Sequence, residues 1–524
     1  MMPDDSADTY SHTDEFARQR RVIDALCAPD RYPHAVDTVQ RIDTHISTLL
    51  LAGDYVYKIK KALTLAFVDY ATLARRHNCC EAEIRLNRRF APNIYLACVA
   101  VREGPDGPTF VGDGPAIEYA VRMARFAPEA QGDACARAGR ITAESVDGLA
   151  ATIARYHQDA PSQPPRADYG SAASVIAAAK ANLEELGTLI DDAAQSSFVS
   201  LNSWLRDRLA DAAPELDRRR AGGCVRECHG DMHLANLIFR AGRWEAFDCI
   251  EFDAALRWID VMDDMAFTLM DLHAHGLAEP AHRFLNHYLE ITGDYAGLTV
   301  LRPYLVHRAL VREKVAYLSA RTDAHQDAPH QLSRYLETAH ALSIERPRLV
   351  ITHGISGSGK SWAAQRVAEH FGYIRIRSDV ERKRMHGLSA LAHRADAPGH
   401  GLYDEQASVA TYECLFELAA AALRGGWPVI LDATFLDRDQ REAARAVAHE
   451  AGCPFHILDM DVPPDTARRR IQARGASDAS DADTRILDHQ LATYRPLTPD
   501  EREDALSTSG AFSELRALFE ALQA

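Results

Sequence analysis

Gly354-Ile-Ser-Gly-Ser-Gly-Lys-Ser361 restricts what this chain can fold into more than any other stretch. It follows a short apolar run, Leu349-Val-Ile-Thr-His353, and precedes residues compatible with a helix, Trp362 to His370. A strand that ends in a Gly-rich loop and opens a helix is the context in which G-x-x-x-x-G-K-[ST] spacing has chemical meaning. Gly354, Gly357 and Gly359 can adopt backbone angles closed to other residues and leave no side chain in the way. The N–H groups of the loop, those of Ile355, Ser356 and Ser358 included, can then curl around a phosphate at a helix N-terminus. Lys360 is placed to reach β/γ-phosphates and Ser361 to ligate Mg2+, so ATP and Mg2+ are the expected cofactors. An ordinary strand–turn–helix junction rich in small residues would need neither the spacing nor the Lys-Ser ending.

The residues after this loop fit the same chemistry. A strand at Tyr373–Arg377 ends at Ser378-Asp379, and strand C-termini in an open parallel sheet face the ligand crevice. Asp379 is thereby placed to meet the acceptor, with Arg382 three residues on along a helix. A third strand, Trp427 to Thr434, carries Asp432 to a position beside Mg2+. Arg470 and Arg474, four apart on one helix, suit a lid that closes positive charge over a transferring phosphoryl group. The competing reading of an arginine-rich helix is a solvated face.

A chain of 524 residues exceeds one core, and about three structural units are expected. Apolar content of 47% and charged content of 26% are those of a globular protein that buries real cores. The formal charge of −16, from 59 basic against 75 acidic residues, implies no basic face for long nucleic acid. Ten scattered cysteines without C-x-x-C spacing read as buried thiols in a reducing compartment, not as a disulfide framework or a zinc site. The acidic, polar N-terminus has no apolar h-region, and no apolar run approaches spanning length. A cytoplasmic protein without a membrane partner is the expectation.

Before the P-loop the pattern is different. Polar residues and a helix, Glu15–Cys27, lead to three short β-type runs at Thr38–Ile42, Ser47–Leu51 and Tyr55–Lys60, the last two separated by Gly53-Asp54. Val56, Lys58 and Lys60 fall on one face of the third run. A helix over Leu73–Phe90 carries Glu81 and Glu83, either of which could pair with a strand lysine to form a phosphate clamp. The middle is largely helical, and its informative stretch is Cys228-His-Gly-Asp-Met-His-Leu-Ala-Asn236, followed by Trp244-Glu-Ala-Phe-Asp-Cys-Ile-Glu-Phe-Asp253. Phosphoryl transfer needs a carboxylate to orient and deprotonate a hydroxyl, and an Asn and an Asp to hold Mg2+. Asp231, Asn236 and Asp248 supply that set.

On those residues, about 36–342 resembles the aminoglycoside-phosphotransferase branch of the protein-kinase-like fold. The resemblance implies Asp231 as catalytic base, Asn236 and Asp248 as Mg2+ ligands, Lys58 as the clamping lysine and Glu83 as its partner. Arg41 to Gly53 departs from the protein-kinase pattern, with one glycine where a G-x-G-x-x-G loop would stand. The C-terminal part resembles P-loop kinases of the polynucleotide 5′-kinase, zeta-toxin and gluconate-kinase group. Its Asp379/Arg382 and Arg470/Arg474 pairs are closest to the polynucleotide-kinase pattern, which implies Asp379 as general base and Arg382 as a contact to an acceptor phosphate. The expected fold class is an α+β bilobal protein-kinase-like domain followed by an α/β P-loop NTPase domain with a parallel sheet and a helical lid. The expected divisions are an opening segment at 1–35, a kinase-like domain at 36–345 (N-lobe about 36–125, helical C-lobe about 140–345), and a P-loop kinase domain at 346–524. The expected function is ATP-dependent transfer of the γ-phosphoryl to hydroxyls of small molecules at two sites. The alternatives are a nucleic-acid 5′-hydroxyl kinase in the P-loop part, or one half that binds ATP only to regulate. Oligomeric state is not legible.

Overall fold

The computed structural model describes residues 14–65, 68–163, 166, 168–192, 194–322, 328–388, 390, 405–460, 462–473, 484–508 and 511–523. They form two compact units: Met1–Arg140 with Arg155–Gly170 and Gly223–Asp264, and Ile141–Ala154 with Ser171–Gly222 and Met265–Ala524.

The first unit is built on an antiparallel sheet. Its strands are β1 (Val39–Asp43), β2 (Ser47–Ala52), β3 (Tyr55–Lys60), β4 (Tyr95–Gly104), β5 (Gly107–Thr109) and β6 (Ala116–Ala124), in the order β1-β2-β3-β6-β4-β5. Gly53 and Asp54 make the two-residue turn between β2 and β3, with Ala52 opposite Tyr55 and Gly53 at φ +59°. Period-2 alternation sends Tyr57 and Ile59 to one face, where they bury against Val22 and Ile23 of helix α1 (Asp14–Ala25) and Leu26 just after it. That helix belongs to the core of this unit. Its Gln19 donates to the Lys60 carbonyl and to Glu118 at 2.7 Å each and accepts from Ala62 N. Helix α2 (Leu73–Asn87) packs Cys80 and Ile84 with Tyr95, Val121 and Met123 in a second cluster. Short strands β7 (Val225–Glu227), β8 (Leu237–Arg240), β9 (Arg243–Ala246) and β10 (Trp258–Asp260) pair antiparallel as β7–β10 and β8–β9. The loop His229–Asn236 runs between β7 and β8.

The second unit holds a parallel sheet, β11 (Arg348–His353), β12 (Ile374–Arg377), β13 (Pro428–Asp432), β14 (Phe455–Met460) and β15 (Ala505–Thr508), in the order β12-β13-β11-β14-β15. Val350, Ile430 and Leu458 are buried runs of the kind that sheets covered on both faces require. Helices of the preceding region belong to the same unit. Asn286, on the helix Ala278–Thr292, donates to Tyr373 O at 3.0 Å and accepts from Arg375 N at 2.7 Å, which satisfies the backbone beside edge strand β12. Arg302 lies over the Trp427 ring at 4.2 Å and donates to the carbonyls of Leu342 and Ile344. Compactness thus does not divide the chain at Pro347. Among the described residues no helix is long and apolar enough to cross a membrane.

Candidate functional site

In the second unit, β11 ends in the Gly-rich loop, and helix α3 (Lys360–Phe371) starts from Gly359 at φ +104°. The glycines are required here. A Cβ at Gly357, where φ is +81°, would lie 2.5 Å from Ala467 O, and one at Gly354 would lie 2.8 Å from Met460 O. Lys360 donates to Ile355 O at 2.7 Å, so its ammonium lies over the loop. Ser361 Oγ donates to Asp432 Oδ1 at 3.0 Å, as expected for a pair that shares a cation. Asp432 is 4% exposed, yet its Oδ2 accepts no hydrogen bond, and Arg377 Nε is 3.8 Å away. A buried carboxylate oxygen left open beside a serine hydroxyl fits Mg2+, a hard cation that takes oxygen ligands and keeps waters.

Asp379 and Arg382 lie on the helix Ser378–Met385 and pair at 3.2 Å. Arg470, on the helix Pro464–Gln472, donates to Ser358 O at 2.9 Å and so sits on the loop itself. Arg474, the other expected lid arginine, lies outside the described residues. Asp379, Arg382, Asp432 and Arg470 line a cavity of about 660 Å3 together with Trp362, Tyr412 and Gln490. Ser356 N donates to Gln490, a contact the sequence does not signal.

In the first unit, Lys58 Nζ contacts Glu83 Oε1 at 2.9 Å and Asp248 Oδ1 at 2.5 Å. Burial would strip its proton, but the charges of Asp248 and Glu83 outweigh burial and hold its pKa well above the usual lysine value. Both lysines of β3 end on Glu83: Lys60 Nζ lies 2.6 Å from Oε2 and also contacts Glu251, which accepts from Tyr70 OH at 2.6 Å. Burial raises the Glu83 pKa, and the two ammoniums more than reverse it, down to about 2. Glu81 faces His77 instead, at 3.7 Å. The β1–β2 turn contains no glycine and is closed by Thr44, whose Oγ1 donates to Ser47 O and accepts from Ser47 N.

Asn236 Nδ2 donates to both the backbone oxygen and Oδ2 of Asp231 at 3.0 Å. Asp248 sits at φ +63°, unusual for a non-glycine, and its N–H donates to Tyr95 OH. Behind the loop lies Asp264, fully buried, which accepts from His229 N at 3.2 Å and Gly230 N at 2.7 Å. Burial raises its pKa, and the hydrogen bond from His157 at 3.1 Å outweighs that and keeps it ionised. His229 is pushed down by burial, so it is neutral. Its Nε2–H donates to Phe247 O, which leaves Nδ1 to accept from Asp231 N. Asp260 accepts from Met262 N at the start of the helix Val261–Ala274, and Asp253 accepts from Ala255 N in a turn. The structure thus brings together Lys58, Glu83 and Asp248 around one ammonium and Asp231 with Asn236 in one loop. Sequence reasoning put Lys60 on the same face as Lys58 without deciding between them, and missed Glu251 and the supporting roles of Asp264 and His157. A carboxylate and an amide offering oxygen fit a hard cation here too.

A family model described as an AAA domain matches residues 349–497. Uncharacterised proteins of Mycobacterium tuberculosis (Rv2004c) and Mycobacterium bovis (Mb2027c) are 30% identical over 444 residues, covering 84% of this chain and 87% of theirs. Among solved structures, a choline/ethanolamine kinase family protein from Mesorhizobium loti aligns with 62% of this chain and 94% of its own, at 12% identity and TM-score 0.38. A gluconokinase from Sinorhizobium meliloti aligns with 34% of this chain and 98% of its own, at 20% identity and TM-score 0.25. A lysine–glutamate–aspartate clamp on an antiparallel sheet and a P-loop on a parallel sheet thus occur in one polypeptide, and this chain, a fusion of two kinase-like regions, belongs to the family of the mycobacterial protein Rv2004c.

Proposed function

We infer that the chain is an ATP-dependent phosphotransferase with two nucleotide sites, each passing a γ-phosphoryl to a hydroxyl of a small molecule. The observation that carries the reading is the buried Asp432 oxygen left open beside Ser361, next to the P-loop lysine in sequence, together with Asp248 held against the Lys58–Glu83 pair in the first unit. Mg2+, when bound through Ser361 and Asp432 or through Asn236 and Asp248, neutralises charge on the phosphates.

The protein's own groups do the rest. Lys58, held charged by its carboxylates, and Lys360 each orient phosphate oxygens. Asp231 and Asp379 each orient a hydroxyl and take its proton as the phosphoryl moves. Arg470, already seated on the P-loop, adds positive charge where negative charge spreads. Arg382, paired with Asp379, favours an acceptor that itself carries an anionic group, which keeps a nucleic-acid 5′-hydroxyl as the second reading.

A metabolite-extract screen with labelled ATP, run on the wild type, Asp231→Ala and Asp379→Ala, tests this. Two products are expected, each lost in one variant. Labelling of a 5′-hydroxyl oligonucleotide that disappears in Asp379→Ala would instead favour the second reading. A first site that only regulates would leave Asp231→Ala indistinguishable from wild type across the screen.

A further inference from the structure

The cysteines, scattered in sequence, carry no zinc spacing, but the fold brings two of them to one point. On helix α2, His77 and Glu81 stand four apart and so share a face. Strand β4 presents Cys98 to the same spot. A ring nitrogen of His77, a carboxylate oxygen of Glu81 and Cys98 Sγ all lie within 4.8 Å of one another. The His77 ring is held by stacking on Tyr119, with centroids 3.8 Å apart and planes 21° apart. A second thiol is adjacent, since Cys80, one turn along α2 from His77, is buried in the cluster against which Cys98 packs.

We propose that His77, Glu81 and Cys98, backed by Cys80, form a binding site for one zinc-class divalent ion that ties helix α2 to strand β4. Imidazole, carboxylate and thiolate are the donors such ions take in tetrahedral sites, and the sulfur selects against Mg2+ and Ca2+. Tetrahedral donors at zinc distances stand about 3.3–3.8 Å apart, so closure asks roughly 1 Å of movement. Glu81, with its side chain 59% exposed, is free to make it.

The ordinary alternative is a solvated His–Glu pair worth a few tenths of a kcal/mol. That alternative accounts for neither thiol. The other mixed cluster, His157 with Cys228 and Asp264, differs in kind: its histidine and carboxylate are engaged in holding the loop at His229 and Gly230. Glu81 stands two residues before Glu83, so an ion here braces the helix that carries the lysine clamp.

The test is titration of the metal-free full-length chain with Co2+. A thiolate-to-cobalt charge-transfer band in the near ultraviolet, saturating at one equivalent, is expected. The oxygen donors of both nucleotide sites give no such band, so failure here is distinct from failure of the kinase reading. Cys98→Ser should abolish the band. His77→Ala and Glu81→Gln should each weaken binding at least tenfold, and Glu81→Gln, at an exposed position, should leave thermal unfolding in chelator unchanged. Absence of the band, its survival in Cys98→Ser, or indifference to His77→Ala would overturn the proposal.

Discussion

Glu83→Gln keeps the shape of the side chain and removes one charge from between two buried ammoniums. In the wild type, burial raises the Glu83 carboxyl while Lys58 and Lys60 bring it down from 4.5 to about 2. At about 1.4 kcal/mol per unit, that displacement corresponds to roughly 3 kcal/mol of stability. Breaking a buried pair by removing one partner costs about 3–5 kcal/mol, a range that agrees. Because the folded pKa lies below the unfolded one, this stability is present in full above about pH 4.5. It is lost as pH falls toward 2. Hydrogen exchange in increasing urea, read on peptides spanning 47–60 and 73–87, isolates the first unit, because two units need not unfold in one transition. The variant should be about 3 kcal/mol less protected at pH 7, with the gap closing between pH 4.5 and 2. A gap under about 0.5 kcal/mol at pH 7, or one that persists unchanged in acid, would refute the assignment of Glu83 as the shared counter-charge.

Other perturbations give separate readings. Gly357→Ala sets a Cβ against the Ala467 carbonyl at φ +81°, a strain of about 1–3 kcal/mol, and should lower nucleotide affinity at the P-loop at least tenfold by calorimetry. Asp264→Asn can no longer accept from both His229 N and Gly230 N, and should cut the Asp231-dependent turnover about 10- to 100-fold while leaving the Asp379-dependent product untouched. Glu313 is fully buried, and burial pushes its pKa up to about 8. Its raised pKa costs stability increasingly between pH 4.5 and 8, so Glu313→Gln should be about 1–3 kcal/mol more stable than wild type at pH 8 and equal to it below pH 4.5 in denaturant titrations.

Local signals were legible where chemistry fixes the spacing. The P-loop octet, the strand ending at Arg377, a strand carrying Asp432 (read as Trp427–Thr434, observed as Pro428–Asp432), and the β2–β3 turn at Gly53-Asp54 follow from short-range rules, and the structure contains each of them. The choice between Glu81 and Glu83 was not legible, because both lie on α2 and only tertiary packing decides which meets Lys58. Lys60 and Glu251 are 191 residues apart, a pairing no local pattern encodes. Asp264 reads in sequence as one more acid in a run at 260–264, and its role shows only when the loop at His229 folds onto it. The helix Asp14–Ala25 looks polar in sequence, yet its Val22 and Ile23, with Leu26 just beyond its end, bury a narrow stripe against the sheet.

The most direct measurement of the central claim is transfer of label from γ-labelled ATP to acceptors in a metabolite extract by wild type, Asp231→Ala and Asp379→Ala. Two labelled products are expected, one missing from each variant and both dependent on Mg2+. Label transfer that neither substitution reduces would contradict the account.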